Sequence, residues 1–343
     1  MRWFFYVLYL TKNILLTFIL LINSVKNKFF ILLLIALVAC FQTACVKQVI
    51  EASISEIASP TNQDLNDILF TSDSVGYICG GTKFSKGIVL KTTDAGTSWI
   101  LDTLTAPKAL YSIVSDHNKL FTTGNEGYFY SSDNAAQSWT QPGFPYWQRF
   151  NQITFNDAGE CFIAVGDGFD RGEILFSNND GAGWLRIDTF NRTIKTIVFH
   201  HGVGFAGAYG IIYKTTDNGR TWLPTYTSGD LFSKIAFTSD QIGYAIGYFG
   251  VILKTTDGGN TWKKILNENF SFNEKSNFRD AVFLNDETAY VVGDKGYVIQ
   301  TNDGGKKWNR IEKFTDSDIY AIEKVGNKLI LVGAEGKIFT LDL

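Results

Sequence analysis

Short apolar runs separated by turn-forming residues make up the chain after residue 46. One stretch shows the pattern clearly, with apolar runs at 234–237, 244–247, 251–254 and 262–266 and with glycine, aspartate, asparagine and threonine between them. Runs of this kind, bounded by such turns, are typical of β-strands. Because no helical periodicity of any length follows residue 46, the pattern predicts four strands in this stretch and an all-β fold for the chain.

One octapeptide recurs between the third and fourth strands of each predicted unit, and we call it the Asp-box. Four copies fit Thr-x-Asp-x-Gly-x-x-Trp, at 92–99, 215–222, 255–262 and 301–308. Of two degenerate copies, 177–184 has Asn179 in the aspartate place, and 131–139 is interpreted as having Asp133 there, one extra residue and no glycine. The six tryptophans are 40, 45, 38, 40 and 46 residues apart, and four strands in about 40–45 residues make a propeller blade.

A pair of glycines occurs at the second turn of each unit, so the number of pairs gives the number of blades. Seven pairs occur, from Gly80 and Gly87 to Gly333 and Gly336, so residues 60–343 are predicted to form a seven-bladed β-propeller of four-stranded blades, with six or eight blades as the alternatives. The last unit lacks a fourth strand. The strand-like segment 46–55 is predicted to supply it and to close the ring, because closure leaves only short, protected strand edges.

The Asp-box is predicted to be structural and not catalytic. An aspartate can accept backbone N–H bonds within a tight turn, glycine permits a positive φ, and tryptophan buries a large ring between neighbouring sheets. The residues assigned to this role are Asp94, Trp99, Asp133, Trp139, Asn179, Trp184, Asp217, Trp222, Asp257, Trp262, Asp303 and Trp308.

The N-terminal region predicts export and membrane attachment. Residues 25–39 combine a basic start with an apolar run of signal-peptide length. They end at Cys40 in a sequence that resembles a bacterial lipobox, and Cys45 is the alternative site of lipid attachment. Residues 1–24 fit this signal badly and are interpreted as a leader upstream of the true start, while 40–59 would be anchor, tether and closing strand. An uncleaved membrane anchor is the alternative. Both interpretations place the propeller outside the cytoplasm, on the periplasmic face or the cell surface.

Composition and the remaining reactive residues exclude several functions. The 343-residue chain has a net charge of −3 and no basic stripe, so nucleic acid is not expected as a partner. Cys79 and Cys161, placed on second strands of blades one and two, are interpreted as small buried apolar residues, with a disulfide between them as the alternative. The pair His200–His201 is not expected to bind a metal. No cofactor is expected, and the chain is expected to be a monomer.

The repeated glycine pair, strand and Thr-Thr-Asp-Gly-Gly-Asn-Thr-Trp motif resembles the photosystem II stability/assembly factor family, within the Asp-box (bacterial neuraminidase repeat) propellers. The resemblance covers residues from about 60 to 343. It implies a seven-bladed, lumenal or periplasmic protein that is not an enzyme and that binds a membrane-protein intermediate during assembly. The lipobox is more similar to bacterial lipoprotein relatives without a photosystem. The expected partner is therefore a membrane or envelope protein complex.

Unusual loops on the face formed by second turns and inter-blade connections are the predicted partner-binding site. They depart from the repeat and carry aromatic residues with arginine, a combination typical of binding surfaces. The alternative is that these aromatic residues only cover the channel mouth. The candidates are Tyr146, Trp147, Arg149, Phe169, Asp170, Arg171, Tyr209, Tyr248, Phe249 and Arg279, with Phe144, Phe270, Phe272 and Lys275 in the same loops.

Two other functions are weighed against a binding scaffold. A sialidase-like glycosidase needs three converging arginines and an Arg-Ile-Pro motif, and this chain lacks the motif. A glycosidase with paired carboxylates would use residues from the set Asp167, Asp170, Glu274 and Asp280. A glycan-binding propeller would use Tyr146, Trp147 and Tyr248 as stacking platforms.

Overall fold

The chain folds into antiparallel meanders of three or four strands, and the computed structural model describes residues 49–102, 104–143, 146–265 and 276–343. Two short strands come first, β1 (Val49–Ile50) and β2 (Ile54–Ile57). The first three meanders contain β3 (Leu65–Phe70), β4 (Gly76–Thr82), β5 (Lys86–Thr92) and β6 (Ile100–Leu101); β7 (Leu110–Asp116), β8 (Lys119–Gly124) and β9 (Phe129–Ser132); and β10 (Phe150–Phe155), β11 (Cys161–Val165), β12 (Gly172–Ser177) and β13 (Leu185–Phe190).

The fourth and fifth meanders share one long strand. They contain β14 (Thr196–His200), β15 (Val203–Gly207), β16 (Tyr209–Thr215), β17 (Leu223–Phe237), β18 (Gly243–Gly247), β19 (Val251–Thr255) and β20 (Lys263–Lys264). The last two contain β21 (Phe278–Phe283), β22 (Ala289–Gly293), β23 (Tyr297–Thr301) and β24 (Asn309–Ile311), then β25 (Ile319–Val325), β26 (Lys328–Gly333) and β27 (Ile338–Asp342). Single 3-10 turns lie at Asn125–Gly127, Tyr248–Gly250, Asp294–Gly296 and Ala334–Gly336.

The first strands of the meanders form a closed ring. Each contacts the next, in the order β3, β7, β10, β14, β17, β21 and β25, and β25 contacts β3 again. The described residues thus contain seven meanders arranged around a centre, with the first strand of each innermost. This is a propeller, and the predicted all-β fold is confirmed.

The N-terminal strands join the last two meanders. β2 pairs antiparallel with β27, with Ile54 opposite Leu341 and Ile57 opposite Ile338, and so stands in the fourth-strand position of the seventh meander. β1 instead pairs in parallel with β24, with Val49 opposite Arg310. The predicted closing segment 46–55 is therefore wrong in its bounds: the pairing with β27 runs from Ile54 to Ile57, and residues 46–48 lie outside the described part.

The hydrophobic core consists of one cluster at each junction between neighbouring meanders. The cluster that joins the first to the seventh includes Leu65, Ile78 and Trp99 from one side and Ile330 and Ile338 from the other. All five of these side chains are buried. Comparable clusters lie at the other junctions, so burial of apolar surface between sheets holds the ring together.

The Asp-box is a hydrogen-bonded turn, as the sequence predicts. In the first copy, Thr92 Oγ1 donates to Asp94 Oδ1 at 2.7 Å and accepts from Gly96 N at 3.0 Å, while Asp94 Oδ1 also accepts from Ser98 N at 2.9 Å. The bond from Ser98 Oγ to Asp94 Oδ2 at 2.6 Å, together with those from Ser98 N and Thr92 Oγ1, lowers the pKa of Asp94 to about 2. Trp99 follows and packs against Phe70 with ring centroids 6.1 Å apart.

The second Asp-box differs from its predicted register. Asn134, and not Asp133, occupies the aspartate place: its Oδ1 accepts from Ser132 Oγ at 2.9 Å and from Ser138 N at 2.9 Å. Ala136 stands where the glycine is expected, with φ of 69°. The copy therefore runs from Ser132 to Trp139 without an extra residue. Two adjacent serines made the start ambiguous in the sequence.

The two cysteines in the described residues are free thiols. Cys79 and Cys161 are both buried and unpaired, as the apolar interpretation predicts, but Cys161 lies on β11 in the third meander and not in the second. Burial raises the pKa of both thiols. Cys40 and Cys45 lie outside the described residues, as do the predicted leader and signal segment. Within the described ranges, no helix is long and apolar enough to cross a membrane.

Candidate functional site

Each innermost strand enters the ring with the same four-residue pattern. In β3 it is Leu65-Asn66-Asp67-Ile68, where the outer two residues are buried in the core. The pairing of β3 with β4 shifts between Leu65 and Asp67, and such a bulge lets both Asn66 and Asp67 face the centre. Gly80 lies opposite Leu65, and a Cβ there would come within 2.0 Å of the Asp64 carbonyl oxygen. The close approach therefore requires glycine.

A central cavity of about 260 Å³ opens where these patterns meet. We call it the mouth pocket. It lies at the end of the ring where the inner strands begin, opposite the Asp-boxes, and every meander contributes to it. Its lining residues are Asp64, Asn66, Asp67, Tyr111, Ser112, Arg149, Asn151, Gln152, Lys195, Ser233, Lys234, Tyr248, Arg279, Asp280, Tyr320 and Ala321.

The third residue of the pattern accepts a hydrogen bond from the next inner strand. The acceptors Asp67, Gln152 and Asp280 receive the backbone N–H groups of Ile113, Ile197 and Ile322 at 2.9, 2.8 and 3.1 Å, respectively. These bonds satisfy backbone donors that face the channel, where an unpaired buried N–H would be costly. The polar wall of the pocket is therefore also part of the ring's structure.

The second residue of the pattern divides the ring into two kinds of position. In three strands a short side chain donates to the next strand: Asn66, Asn151 and Ser233 bond to the carbonyl oxygens of Leu110, Ile194 and Phe278 at 2.8, 2.9 and 2.8 Å. In the other four strands a longer side chain lines the pocket instead, namely Tyr111, Lys195, Arg279 and Tyr320. These four, with Arg149, are the groups available to a ligand.

Buried charges lie deeper in the channel. Lys234 Nζ is 2.9 Å from Asp280 Oδ1; burial opposes the charge on Lys234, but the carboxylates of Asp280 and Asp67 outweigh it and raise its pKa. Burial raises the pKa of Asp67 to about 6 and that of Glu323 to about 7, although Lys234 partly offsets both. The single ammonium group of Lys234 thus interacts electrostatically with the three carboxyl groups of Asp67, Asp280 and Glu323.

Cations without carboxylate partners lie at the mouth itself. Neither Lys195 nor Arg149 has an ion pair among the described residues. Burial, together with the like charges of Arg149 and Arg279, holds the pKa of Lys195 well below its usual value. The Arg149 guanidinium lies 3.5 Å from the ring centroid of Tyr111, and its Nε is buried with no hydrogen-bond partner within the described ranges. An anion here would pair with Lys195 and Arg149.

Three of the predicted binding residues meet in the mouth pocket. Arg149, Tyr248 and Arg279 all line it, and Arg279 Nη1 donates to the Tyr248 hydroxyl at 2.7 Å. Arg279 Nε also bonds Asp294 Oδ1 at 2.5 Å, so this arginine is held in place. Of the predicted loop residues, Phe144, Phe270, Phe272 and Lys275 lie outside the described residues.

Three predicted aromatic residues are exposed in the loops at this end of the ring. The side chains of Trp147, Phe169 and Phe249 are 85, 73 and 51 % exposed. We call these three the rim. Phe169 contacts Tyr209 edge-on, with ring centroids 6.0 Å apart. Large apolar side chains exposed beside a polar pocket are typical of binding surfaces.

Three other predicted residues make contacts within the propeller. Tyr146 packs on Phe150, with centroids 5.4 Å apart. Arg171 bonds the fully buried Glu173 at 2.6 Å, and the Tyr209 hydroxyl donates to Asp230 at 3.0 Å. Asp170 is exposed.

The paired carboxylates that a glycosidase would need are otherwise engaged. Asp280 bonds Lys234 and the backbone of Ile322, and Asp167 lies 3.3 Å from Lys83 Nζ. Glu274 lies outside the described residues. Within the described residues, Asp167 and Asp280 thus bond to different partners.

Sequence reasoning missed most of the pocket wall. The sequence prediction did not include Lys195, Tyr111 or Tyr320. It was based on loops that depart from the repeat, whereas these residues lie at or directly before the start of regular strands. The signal was present as the recurring apolar–polar–polar–apolar pattern, for example Phe232-Ser233-Lys234-Ile235. Two successive inward residues break strict alternation, which indicates a bulge that faces the channel.

Comparisons with known proteins identify the family resemblance. Residues 223–340 match the family model described as "Photosynthesis system II assembly factor YCF48", which confirms the resemblance recognised in the sequence. A search of curated proteins finds no match.

Solved structures confirm the fold. A structure described as "YCF48 bound to D1 peptide" aligns with a TM-score of 0.70 and 18 % identity, over 87 % of this chain and 100 % of that one. YCF48 from Cyanidioschyzon merolae aligns with a TM-score of 0.67 and 17 % identity, over 85 % and 99 %. The GH74 xyloglucanase from Xanthomonas campestris aligns with a TM-score of 0.64 and 15 % identity, over 83 % of this chain and 53 % of the enzyme.

Proposed function

We propose that this YCF48-like propeller is a non-catalytic scaffold that binds an extended, acidic segment of a membrane or envelope protein at the mouth pocket. A YCF48 protein of similar fold has been solved with a D1 peptide, which supports a peptide of a membrane protein as the class of ligand. The observation that carries the proposal is the pair of basic side chains Lys195 and Arg149, which form no ion pair with a carboxylate within the described part of the chain.

The chemistry of the pocket favours a carboxylate. Bringing an anion to Lys195 would relieve the repulsion from Arg149 and Arg279, and a partly desolvated charge pair is stronger than one in water. The exposed rim residues Trp147 and Phe249 could then pack on apolar side chains beside the acidic residue. The basic side chains of the mouth pocket would select an acidic segment, and the rim residues would add apolar contact area.

The hydrogen bonds made by the acidic residues of the mouth pocket support a scaffold role. Asp67 and Asp280, the carboxyl groups deepest in the mouth pocket, accept backbone N–H groups of neighbouring strands. Moving either to a substrate would leave a buried donor unpaired. This supports a binding role over hydrolysis, in which both carboxyl groups must be free to act.

Membrane attachment is part of the proposal. The apolar run 29–39 followed by Cys40 supports a lipid anchor, which would hold a monomeric propeller outside the cytoplasm and close to a membrane protein. Cys40→Ser should release the protein from the membrane fraction, and Cys45→Ser should leave it bound. Release by Cys45→Ser alone would move the anchor to Cys45, and release by neither would refute lipid attachment.

The binding proposal is tested by site-specific photo-crosslinking in the source cells. A photoreactive amino acid at Phe249 should capture one membrane or envelope protein, and mass spectrometry should place the crosslink on an extended segment with an acidic residue. The matched control is Tyr226, which is 78 % exposed on β17 but not in the mouth pocket. Equal capture at both positions would contradict specific binding at the mouth pocket.

Affinity measurements then test the chemistry. A synthetic peptide of the captured segment should bind by fluorescence polarisation, and Lys195→Gln should weaken it at least about tenfold, as expected for the loss of a partly buried charge pair. Lys263→Gln, on the exposed strand β20, should change nothing. Unchanged binding in Lys195→Gln would remove the mouth pocket from the proposal. Binding on a glycan array, with no captured peptide, would favour the glycan-binding alternative.

A further inference from the structure

Two histidines and an aspartate converge at the end of the ring that carries the Asp-boxes. His200 is the last residue of β14 and His201 lies in the turn to β15, whereas Asp240 lies in the turn between β17 and β18 of the next meander. One ligand atom from each lies within 4.8 Å of the other two. We propose that His200, His201 and Asp240 bind a divalent transition-metal ion, with Zn²⁺ as the ion that suits them best.

The spacing of the three ligand atoms approaches that of a metal site. Asp240 Oδ1 is 2.6 Å from His201 Nδ1 and 3.2 Å from His200 Nε2. Zinc bonds to nitrogen and carboxylate oxygen are about 2.0–2.2 Å long, so the edge of a tetrahedron around zinc is roughly 3.3 Å. The His200–Asp240 separation already has that length. The His201–Asp240 separation is that of a hydrogen bond and needs a shift of less than about 1 Å.

His200 provides a ligand atom that is not otherwise used. Its Nε2 is buried, and it has no hydrogen-bond partner in the part of the chain that the structure describes. The ring stacks on Phe237, with centroids 5.6 Å apart and planes at 20°, and contacts the ring of His201 at 4.2 Å. Aromatic packing thus sets the direction of the nitrogen, whereas most ligating histidines are oriented by a hydrogen bond from their other ring nitrogen.

Neighbouring groups leave room for the ion. A cavity of about 280 Å³ adjoins the three residues and is also lined by Lys214 and Asp257. Lys214 Nζ is held away by bonds to Gly258 O at 2.7 Å and Asn260 Oδ1 at 2.8 Å. Asp257 is engaged in its Asp-box turn. The fourth coordination position would therefore be open to water or to a ligand atom of a partner.

An ion at this site would join two meanders. The histidines precede β15 and Asp240 precedes β18, so coordination would link the fourth meander to the fifth. The sequence does not suggest the site, because Asp240 is 39 residues from His201. Binding to the folded state alone would raise the thermal unfolding temperature with metal concentration.

The test uses the full chain, purified in detergent without an affinity tag, and the metal ions alone. Isothermal titration calorimetry should show one Zn²⁺ per chain, and Co²⁺ should give the visible absorbance of a tetrahedral site. His201→Asn, which suits the φ of 45° at this position, and Asp240→Asn should each weaken Zn²⁺ binding by more than about tenfold, because loss of a residue that only supports a ligand already costs about that much.

The chain offers a matched control. Asp116, the last residue of β7, and His117, in the turn to β8, form a similar pair 2.7 Å apart, but that turn has no second histidine. His117→Asn should leave Zn²⁺ binding unchanged. The proposal fails if the wild-type chain binds no Zn²⁺, if His117→Asn weakens binding as much as His201→Asn, or if Asp240→Asn binds normally while circular dichroism shows a native fold.

Discussion

Asp67 Oδ2 accepts the backbone N–H of Ile113 at 2.9 Å, across the junction between the first and second meanders. The same carboxyl group accepts the N–H of Ile68 at 3.0 Å through Oδ1. A residue that lines the mouth pocket therefore also fixes the distance between two inner strands. Side chains at equivalent places in other meanders do the same, so the pocket cannot change its acidic wall without a cost in stability.

Asp67→Ala is expected to destabilise the ring. It leaves two backbone donors without their acceptor, and a buried unpaired donor costs about 1–3 kcal/mol. The free energy of unfolding from urea denaturation should fall by that order. Asp157→Ala, in an exposed turn, is the control and should have little effect. An equal loss in both variants would show that the bond to Ile113 is not the cause.

The buried acids predict a dependence of stability on pH. The pKa values of Asp67 and Glu323 are raised to about 6 and about 7, so the folded state holds protons that the unfolded state has released. Stability from these groups is therefore greatest below about pH 4, where both states hold the protons, and is lost as the pH rises through 6 and 7.

Thermal unfolding between pH 5 and pH 8 measures this effect. The unfolding temperature of the wild type should fall with rising pH, and Glu323→Gln should reduce the slope. Glu287→Gln, at an exposed turn, should retain the wild-type slope. If Glu323→Gln has the wild-type slope too, burial of this carboxyl group does not control the dependence.

Tryptophans of different burial should differ in their contribution to stability. Trp222 is 5 % exposed, and its Nε1 donates to Gly219 O at 3.1 Å, so Trp222→Ala should cost about 3–5 kcal/mol as a core truncation. Trp147→Ala, at an exposed rim position, should change the free energy of unfolding by less than about 0.5 kcal/mol. Trp262 is only partly buried, and its truncation should lie between the two. A reversed order in denaturant titrations would contradict this account.

The corrected register of the second Asp-box makes a separate prediction. Asn134→Ala removes the acceptor for Ser132 Oγ and Ser138 N and should cost about 1 kcal/mol, the typical net value of a hydrogen bond. Asp133→Ala leaves these bonds intact and should be nearly neutral. Urea denaturation of the two variants decides the point, because the register inferred from the sequence predicts the opposite order.

Repetition explains what could be predicted and what could not. The meanders, the Asp-box turns and the buried tryptophans follow from patterns that recur, so each copy supports the others. The errors fall where the repeat is degenerate or where contacts join distant residues. From the sequence alone, either Ser131 or Ser132 could be the first residue of the second Asp-box. The hydrogen bond from Ser132 Oγ to Asn134 Oδ1 identifies Ser132 as that residue.

The candidate site was predicted in part for the same reason. Arg149, Tyr248 and Arg279 stood out because their loops depart from the repeat, and they do line one pocket. Lys195 directly precedes the ordinary strand β14, and its importance comes from Arg149 and Arg279, which lie far away in sequence. The sequence pattern shows where a residue lies along its strand. The electrostatic interactions between charged residues of different meanders arise only when the folded ring brings them close together.

The pairing of β2 with β27 has a consequence for biosynthesis. The bond from Ser53 Oγ to Asp342 Oδ2 spans 289 residues, so the first described strands leave the ribosome long before their partners. The open edge they present meanwhile is a template for aggregation. A chaperone that shields this edge until the last meander emerges would therefore raise the yield of native protein.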